Sequence, residues 1–403
     1  MKRGVWLGLL LLMAAALYIR LHYVLEAEYP PLEWDQLEYT KTAIQLLEKG
    51  LFAYRDTEPN SLVTPGFPLL LAAVFSLTGH EHLEPALMVV RIMNCFISLG
   101  AILFLFLIGK RLFNPITGLI AGTFAAVYPS YVWSTSLILT EVPFLTVFTG
   151  LLYMQVRILQ DNKWRDHLWM GTLLGICVLI RPNVLPLSVV PYLFLWVRTK
   201  KIDAAYGLLA AASFACIMMP WWIRNWMTFH SFIFIAKGEA GNPFLGGTDP
   251  YFQGTIDWDH IDTDNQFAEG MRRIKEGLVK EPLLWMKWMT IGKLLVFFKT
   301  MWVGPYPFSV PAWYANALTQ LHTFLIAAGS IAMLFFSFRK TSIQYLTVAF
   351  LLFLGVHMVF IPVDRYVYGM LPFLMLGSAY LITQVIYLLH IAWTTSLLQR
   401  RGI

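Results

Sequence analysis

Six positions pair a reactive side chain with an unusual place in the chain, at or near the ends of long apolar runs. Asp35 opens the stretch WDQLEYTKTAIQLLEKG, and Glu141 opens another apolar run within LTEVPF. Arg91 lies one helical turn from Asn94, Arg181 precedes Pro182, Arg224 precedes Asn225, and Arg365 stands between Asp364 and Tyr366. Burying such groups in a bilayer without partners is expensive, so each needs an explanation. A carboxylate can take a proton from a hydroxyl. A guanidinium offers planar, paired donors that match a phosphate, and it stays charged in apolar surroundings. Arg91, Arg181, Arg224 and Arg365 converging near one membrane face would hold a lipid phosphate. Taken singly, an arginine that only snorkels to its own interface accounts for its position.

The elements that must position these groups are membrane helices. Of 403 residues, 58% are hydrophobic and 13% charged, whereas a soluble chain carries about a quarter charged residues. Apolar runs of about 20 residues, each able to cross a bilayer as a helix, recur at approximately 4–25, 85–109, 115–133, 142–158, 168–181, 183–197, 204–223, 313–338, 342–361 and 367–390. The first follows Lys2 and Arg3, but it exceeds a signal-peptide core and shows no small-x-small cleavage site before Glu26. It reads as a retained span.

Basic residues set the orientation. Lys2 and Arg3, Lys110 and Arg111, Arg157 with Lys163 and Arg165, Arg198 with Lys200 and Lys201, Arg339 and Lys340, and Arg400 and Arg401 alternate as ten spans with a cytoplasmic N-terminus require. The opposite side then receives 26–84, about 134–141 and 224–312, which puts the chemistry in the exoplasm or periplasm. Segments 65–78 and 282–303 are apolar but not counted as spans. The first is short; the second mixes Lys287, Lys293 and Lys299 with Trp285, Trp288 and Trp302, a composition suited to an interface. The net charge of +6 is spread over short loops, as topology demands, and does not point to nucleic acid. Cys95, Cys177 and Cys216 fall in apolar runs without ligand spacing and read as core residues. His80 and His82 are loop residues, and His357 reads as a packed polar residue of the ninth span. No internal repeat and no Walker, Rossmann or zinc motif occurs. The expectation is one domain, 1–403, with an external cap built from 26–84 and 224–312 and C-terminal spans over 313–390.

The stretch Trp34–Pro68 is the first crowding of acids, aromatics and prolines. Trp34, Leu37, Ile44, Leu47 and Leu51 recur at helical steps with Asp35, Glu38, Lys41, Gln45 and Glu48 between them. That pattern predicts an amphipathic helix lying along the membrane surface. Asp35 falls in its first turn, where a carboxylate suits the helix dipole, so it also reads as a simple helix-start residue. Between Asn242 and Gly254 the chain reads NPFLGGTDPYFQG, a glycine- and proline-rich loop.

An acid in a first external loop, Tyr39 four residues later, an amphipathic helix and a Pro65-Gly66-Phe67-Pro68 turn resemble the GT-C glycosyltransferases, in particular the protein-mannosyltransferase-like group that includes the aminoarabinose transferases. Arg91, Glu141-Val142-Pro143, Arg181-Pro182, Arg224-Asn225 and Arg365-Tyr366, the last ahead of Pro372, resemble that group's motifs in the same order. The chain departs from it at Asp35-Gln36, where the group often has Asp-Glu, and at Thr64, where it has Pro. The resemblance implies an all-α polytopic GT-C fold, with about ten transmembrane helices and amphipathic helices in the first external loop. It implies that Asp35 is the catalytic base and that the donor is a polyprenyl-phosphate sugar.

On this reading the chain moves one sugar from that donor to a lipid, glycan or protein acceptor on the non-cytoplasmic face, with inversion. Glu141 is a second carboxylate that orients the acceptor, assists Asp35 or, with Asp35, binds a divalent cation. Arg91, Arg181, Arg224 and Arg365 hold the donor phosphate, and Tyr39, Asn225 and Tyr366 line the substrate site. Two alternatives stay open: a transporter or flippase for a lipid or anionic solute, and a lipid-linked glycan ligase or polymerase. Transporters more often show internal halves around broken helices; none is visible here.

Overall fold

The computed structural model describes residues 2–201, 203–237, 241–261, 265–305 and 311–400, and every regular element among them is helical. In chain order these are α1 (Lys2–Glu26), α2 (Trp34–Lys49), α3 (Gly66–Thr78), α4 (Leu83–Leu112), α5 (Pro115–Val127), α6 (Pro129–Trp133), α7 (Glu141–Asp161), α8 (Trp164–Ile180), α9 (Val190–Thr199), α10 (Ala204–Phe229), α11 (Gly241–Gly246), α12 (Gln266–Lys280), α13 (Pro282–Lys287), α14 (Lys293–Lys299), α15 (Ala312–Phe336), α16 (Thr341–Met358) and α17 (Leu371–Arg400). Arg401, one of the basic residues used to orient the chain, lies outside the described residues.

Seven of the ten runs expected to span are single long apolar helices: α1, α4, α7, α10, α15, α16 and α17 are long and apolar enough to cross a membrane. The other three are shorter or interrupted, and prolines explain two of them. Run 115–133 is split because Pro129 drives Tyr128 out of the helical region, to ψ 123°, so α5 stops and α6 restarts. Run 183–197 opens as a 3-10 segment, Pro182–Val189, with Pro186 inside it, before the ten residues of α9. Run 168–181 is the 17-residue α8, which starts at Trp164 and carries Asp166 in its first turn.

The break at Pro129 has a second consequence. It leaves the last carbonyls of α5 without helical partners, and Arg20, buried within α1, supplies them. Its Nη1 donates to Ala126 O at 2.8 Å and its Nη2 to Ala125 O at 3.0 Å.

Segment 26–84 folds into two helices, α2 and α3, packed on one another over the start of α4. Ala43, Phe67, Leu71, Phe75, Leu87 and Val90 form the apolar cluster between them, and full burial of a side chain such as Phe67 is worth about 1.5–3 kcal/mol. α2 ends at Gly50, whose left-handed φ of 63° lets its N–H reach Leu46 O. The turn Pro65–Pro68 places Gly66 against α8, where a Cβ would stand 2.5 Å from Leu179 O. Only glycine permits that contact, and it seats α3 beside the residue that follows α8, Arg181.

The described residues of segment 224–312 also pack on one another. α11 packs on α12, and Trp288 Nε1 donates to Gly247 O at 2.9 Å. Ile361 N donates to Pro243 O at 2.7 Å, and Lys293 Nζ donates to Met358 O and Phe360 O, each at 3.0 Å. Segment 282–303 becomes α13 and α14 joined through a π turn, Trp288–Gly292. These contacts clamp the chain just after α16, the segment that leads into Arg365.

Candidate active site

Asp35 is the second residue of α2, and its two carboxylate oxygens face different partners. Oδ2 accepts from Arg365 Nη1 at 2.9 Å. Oδ1 accepts from Tyr54 Oη at 3.0 Å and from Arg55 Nη2 at 3.1 Å. Arg365 extends the chain of charges, because its Nε donates to Glu141 Oε1. The same Oε1 accepts from Arg181 Nη2, and Arg181 Nε donates to Thr140 Oγ1 at 2.7 Å. The sequence order Asp35, Glu141, Arg181, Arg365 thus collapses into one alternating row, Asp35–Arg365–Glu141–Arg181. With Arg55 the site holds three guanidiniums against two carboxylates, an excess of one positive charge.

Local structure explains each placement. Glu141 is the first residue of α7 and fully buried, so the helix N-terminus favours its charge. Pro182 forces Arg181 into an extended conformation, φ −148° and ψ 116°, and turns its side chain off the end of α8. Arg365 rides on the 3-10 turn Asp364–Gly369, pinned by Thr300 Oγ1, which donates to Asp364 Oδ2 at 3.1 Å. Burial opposes the charge on Arg365, but Glu141 and Asp35 outweigh it and hold the guanidinium protonated above the usual arginine range.

Tyr39 lies one turn along α2 from Asp35, its ring 5.3 Å from those of both Tyr54 and Phe67; burial pushes its hydroxyl up to about 12. Burial likewise raises Tyr54, so its hydroxyl stays a donor to Asp35. Tyr366 lies tilted against His357 and Phe297, next to Arg365 but without a hydrogen bond to the carboxylates among the described residues. Gln36, which stands where the resembled group often has a second acid, accepts from Ile138 N at 2.9 Å and ties α2 to the loop before Glu141.

The four arginines expected to converge do not form one cluster. Arg181 and Arg365 join the carboxylates. Arg224 donates to Asn60 O at 2.9 Å, Phe52 O at 2.8 Å and Asn225 Oδ1 at 2.9 Å. Asn60 in turn exchanges hydrogen bonds with the backbone of Tyr54, at 2.9 and 3.2 Å. Arg224, which also holds Asn225, is thus linked to Asp35 through Asn60 and Tyr54. Arg91 donates to Ser136 O at 3.1 Å and lies over the Tyr29 ring at 3.5 Å. With Asn94, which donates to Leu137 O at 3.1 Å, it fixes the 134–140 loop.

Sequence reasoning missed Tyr54 and Arg55, which stand in a loop without periodicity, 19 and 20 residues from Asp35. Arg55 has φ 57° and Trp34, beside Asp35, has φ 49°. A left-handed backbone at such residues costs on the order of 1–3 kcal/mol and persists only where surroundings impose it.

The residues do not fit a divalent cation as they stand. The Arg365 guanidinium lies between Asp35 and Glu141, and among the described residues no group of three or more His, Cys, Asp or Glu side chains could hold a metal ion.

Residues 62–224 match the family described as dolichyl-phosphate-mannose-protein mannosyltransferase. No curated protein matches the chain. Among solved structures, the oligosaccharyltransferase AglB from Archaeoglobus fulgidus, in complex with an inhibitory peptide and a dolichol-phosphate, aligns with TM-score 0.58 and 14% identity over 100% of this chain and 52% of that one. The same oligosaccharyltransferase in complex with Zn and sulfate aligns with TM-score 0.57 and 13% identity over 98% and 51%. ArnT from Cupriavidus metallidurans bound to undecaprenyl phosphate aligns more weakly, with TM-score 0.46 and 13% identity over 92% and 77%. The chain spans about half the length of AglB, and what it shares is the GT-C glycosyltransferase fold.

Proposed function

We propose that this GT-C-fold protein transfers one sugar, a hexose or pentose, from a polyprenyl-phosphate donor to a hydroxyl acceptor on the non-cytoplasmic face. The observation that carries this reading is the Arg365 guanidinium held between Asp35 and Glu141, which puts a proton acceptor and a phosphate-matching cation in one site.

The acceptor hydroxyl attacks the anomeric carbon, Asp35 takes its proton, and the bond from that carbon to the phosphate oxygen breaks with its electron pair. One displacement inverts the anomeric centre. The leaving phosphate needs charge stabilisation more than an acid, and Arg181 and Arg365 supply it from fixed positions. Glu141 keeps both guanidiniums aimed, and its single oxygen shared between them leaves donors free to turn to the phosphate. Arg91, Arg224 and Asn225 hold the walls, and Tyr39 and Tyr366 line the sugar side.

Purified protein in lipid nanodiscs, incubated with a panel of polyprenyl-phosphate hexoses and pentoses, tests the reading. Consumption of one donor with release of polyprenyl phosphate supports it. Transbilayer movement of donors without cleavage would replace it with lipid transport.

A further inference from the structure

Asp35 separates two environments. Its Oδ2 faces Arg365, and its Oδ1 faces Tyr54 and Arg55, the latter also lining an open groove of about 800 Å³. Trp34, Glu38, Lys41, Gln45, Arg55 and Asp56 line that groove. Trp34 is 82% exposed and is held in its left-handed backbone conformation directly before Asp35. The Gln45 side chain donates to Asp56 O at 3.2 Å, while its own Oε1 has no hydrogen-bond partner.

We propose that this groove is the acceptor subsite, that it takes a neutral saccharide, and that Trp34 is the platform on which the sugar ring stacks. The proposal rests on the glycosyl-transfer reading only for the word acceptor. Three features carry it. The groove adjoins Asp35 through Trp34, its chain neighbour, and through Arg55, which donates to Oδ1, the oxygen turned away from Arg365, so an acceptor held there lies across the base from Arg181 and Arg365. Two acids, Glu38 and Asp56, balance two bases, Lys41 and Arg55, so the lining favours a neutral ligand rich in hydrogen-bonding groups over an anion. An exposed indole beside such groups matches a sugar, which presents an apolar C–H face and a rim of hydroxyls. The charged lining also argues against Trp34 as a membrane anchor, because burying Trp34 would carry Glu38, Lys41 and Asp56 towards the bilayer.

Saturation-transfer NMR on the full chain in nanodiscs, without donor, tests this with neutral disaccharides of glucose, mannose, galactose and N-acetylglucosamine, beside a glucuronate disaccharide and a serine- and threonine-containing peptide. At least one neutral disaccharide is expected to receive saturation from the wild type. Its affinity should fall about 2- to 10-fold in Trp34→Ala, the worth of one aromatic contact, and largely recover in Trp34→Phe. Binding of labelled polyprenyl phosphate to the same preparations should be equal in all three, which shows that each variant is folded. Saturation of the peptide alone, of no neutral sugar, or equally in Trp34→Ala and wild type would overturn the proposal. Because no donor is present, its outcome is independent of whether any donor is consumed.

Discussion

Arg365 donates from Nη1 to Asp35 Oδ2 at 2.9 Å, joining residues 330 positions apart in the chain. The contact closes the site between α2 and the turn before α17. Asp35 thus stands between two guanidiniums, Arg365 on Oδ2 and Arg55 on Oδ1.

Replacing Arg365 with lysine keeps the charge and loses the fork that reaches Asp35 and Glu141 together. One charged hydrogen bond is worth about 1.5–3 kcal/mol, so turnover of the polyprenyl-phosphate donor should fall about 10- to 100-fold. Steady-state consumption of donor, with thermal unfolding as a folding control, measures it. Wild-type turnover by Arg365→Lys would show that the two-armed contact is dispensable.

Glu141→Gln should behave differently, because it leaves Arg181 and Arg365 without their shared buried anion. Removing one partner of a buried ion pair costs about 3–5 kcal/mol. A lowered unfolding midpoint is expected for Glu141→Gln, with little change for Asp35→Asn, whose carboxylate is less enclosed. Equal midpoints would mean that the arginines find other partners.

Arg224→Ala should loosen the segment it holds through Phe52 O and Asn60 O. Faster amide exchange over residues 51–60 is expected, with slower turnover and nearly unchanged affinity for polyprenyl phosphate. A loss confined to donor affinity would instead place Arg224 on the phosphate.

Much of this site was legible from residue type, and its connectivity was not. Charged groups at the ends of apolar runs singled out Asp35, Glu141, Arg181 and Arg365, since such groups need partners in a membrane protein. The same rule does not tell a guanidinium shared between the site carboxylates from Arg224, engaged on backbone carbonyls, or from Arg91, engaged on Ser136 O and the Glu84 carboxylate. It also passed over Arg20, whose partners exist only because Pro129 breaks the helix they end. Hydropathy found the seven long helices, but it did not show that prolines inside 115–133 and 183–197 interrupt the helices there.

Lys293 supplies a pH signature outside the seven long apolar helices. Burial lowers it from 10.5 to about 8. Between these values the unfolded chain binds more protons than the folded one, so stability should rise with pH from about 8 to 10.5 and level off above. Unfolding in denaturant across that range checks it; the rise should disappear in Lys293→Met. A slope that persists in the variant would belong to another group.

Orientation is testable with single cysteines at Asn60, Asp161 and Asp257, after replacement of the exposed Cys216. An impermeant thiol reagent outside intact cells should label positions 60 and 257 and spare 161. Labelling of 161 alone would invert the topology and move the site to the cytoplasmic face.

The most direct measurement is single-turnover transfer by Asp35→Asn, which preserves size and hydrogen bonding but cannot take a proton. With Asp35 as the general base, the rate should fall about 10²–10⁴-fold while polyprenyl-phosphate affinity stays near wild type. Normal turnover by Asp35→Asn beside an inactive but folded Glu141→Gln would contradict this and move the base to Glu141.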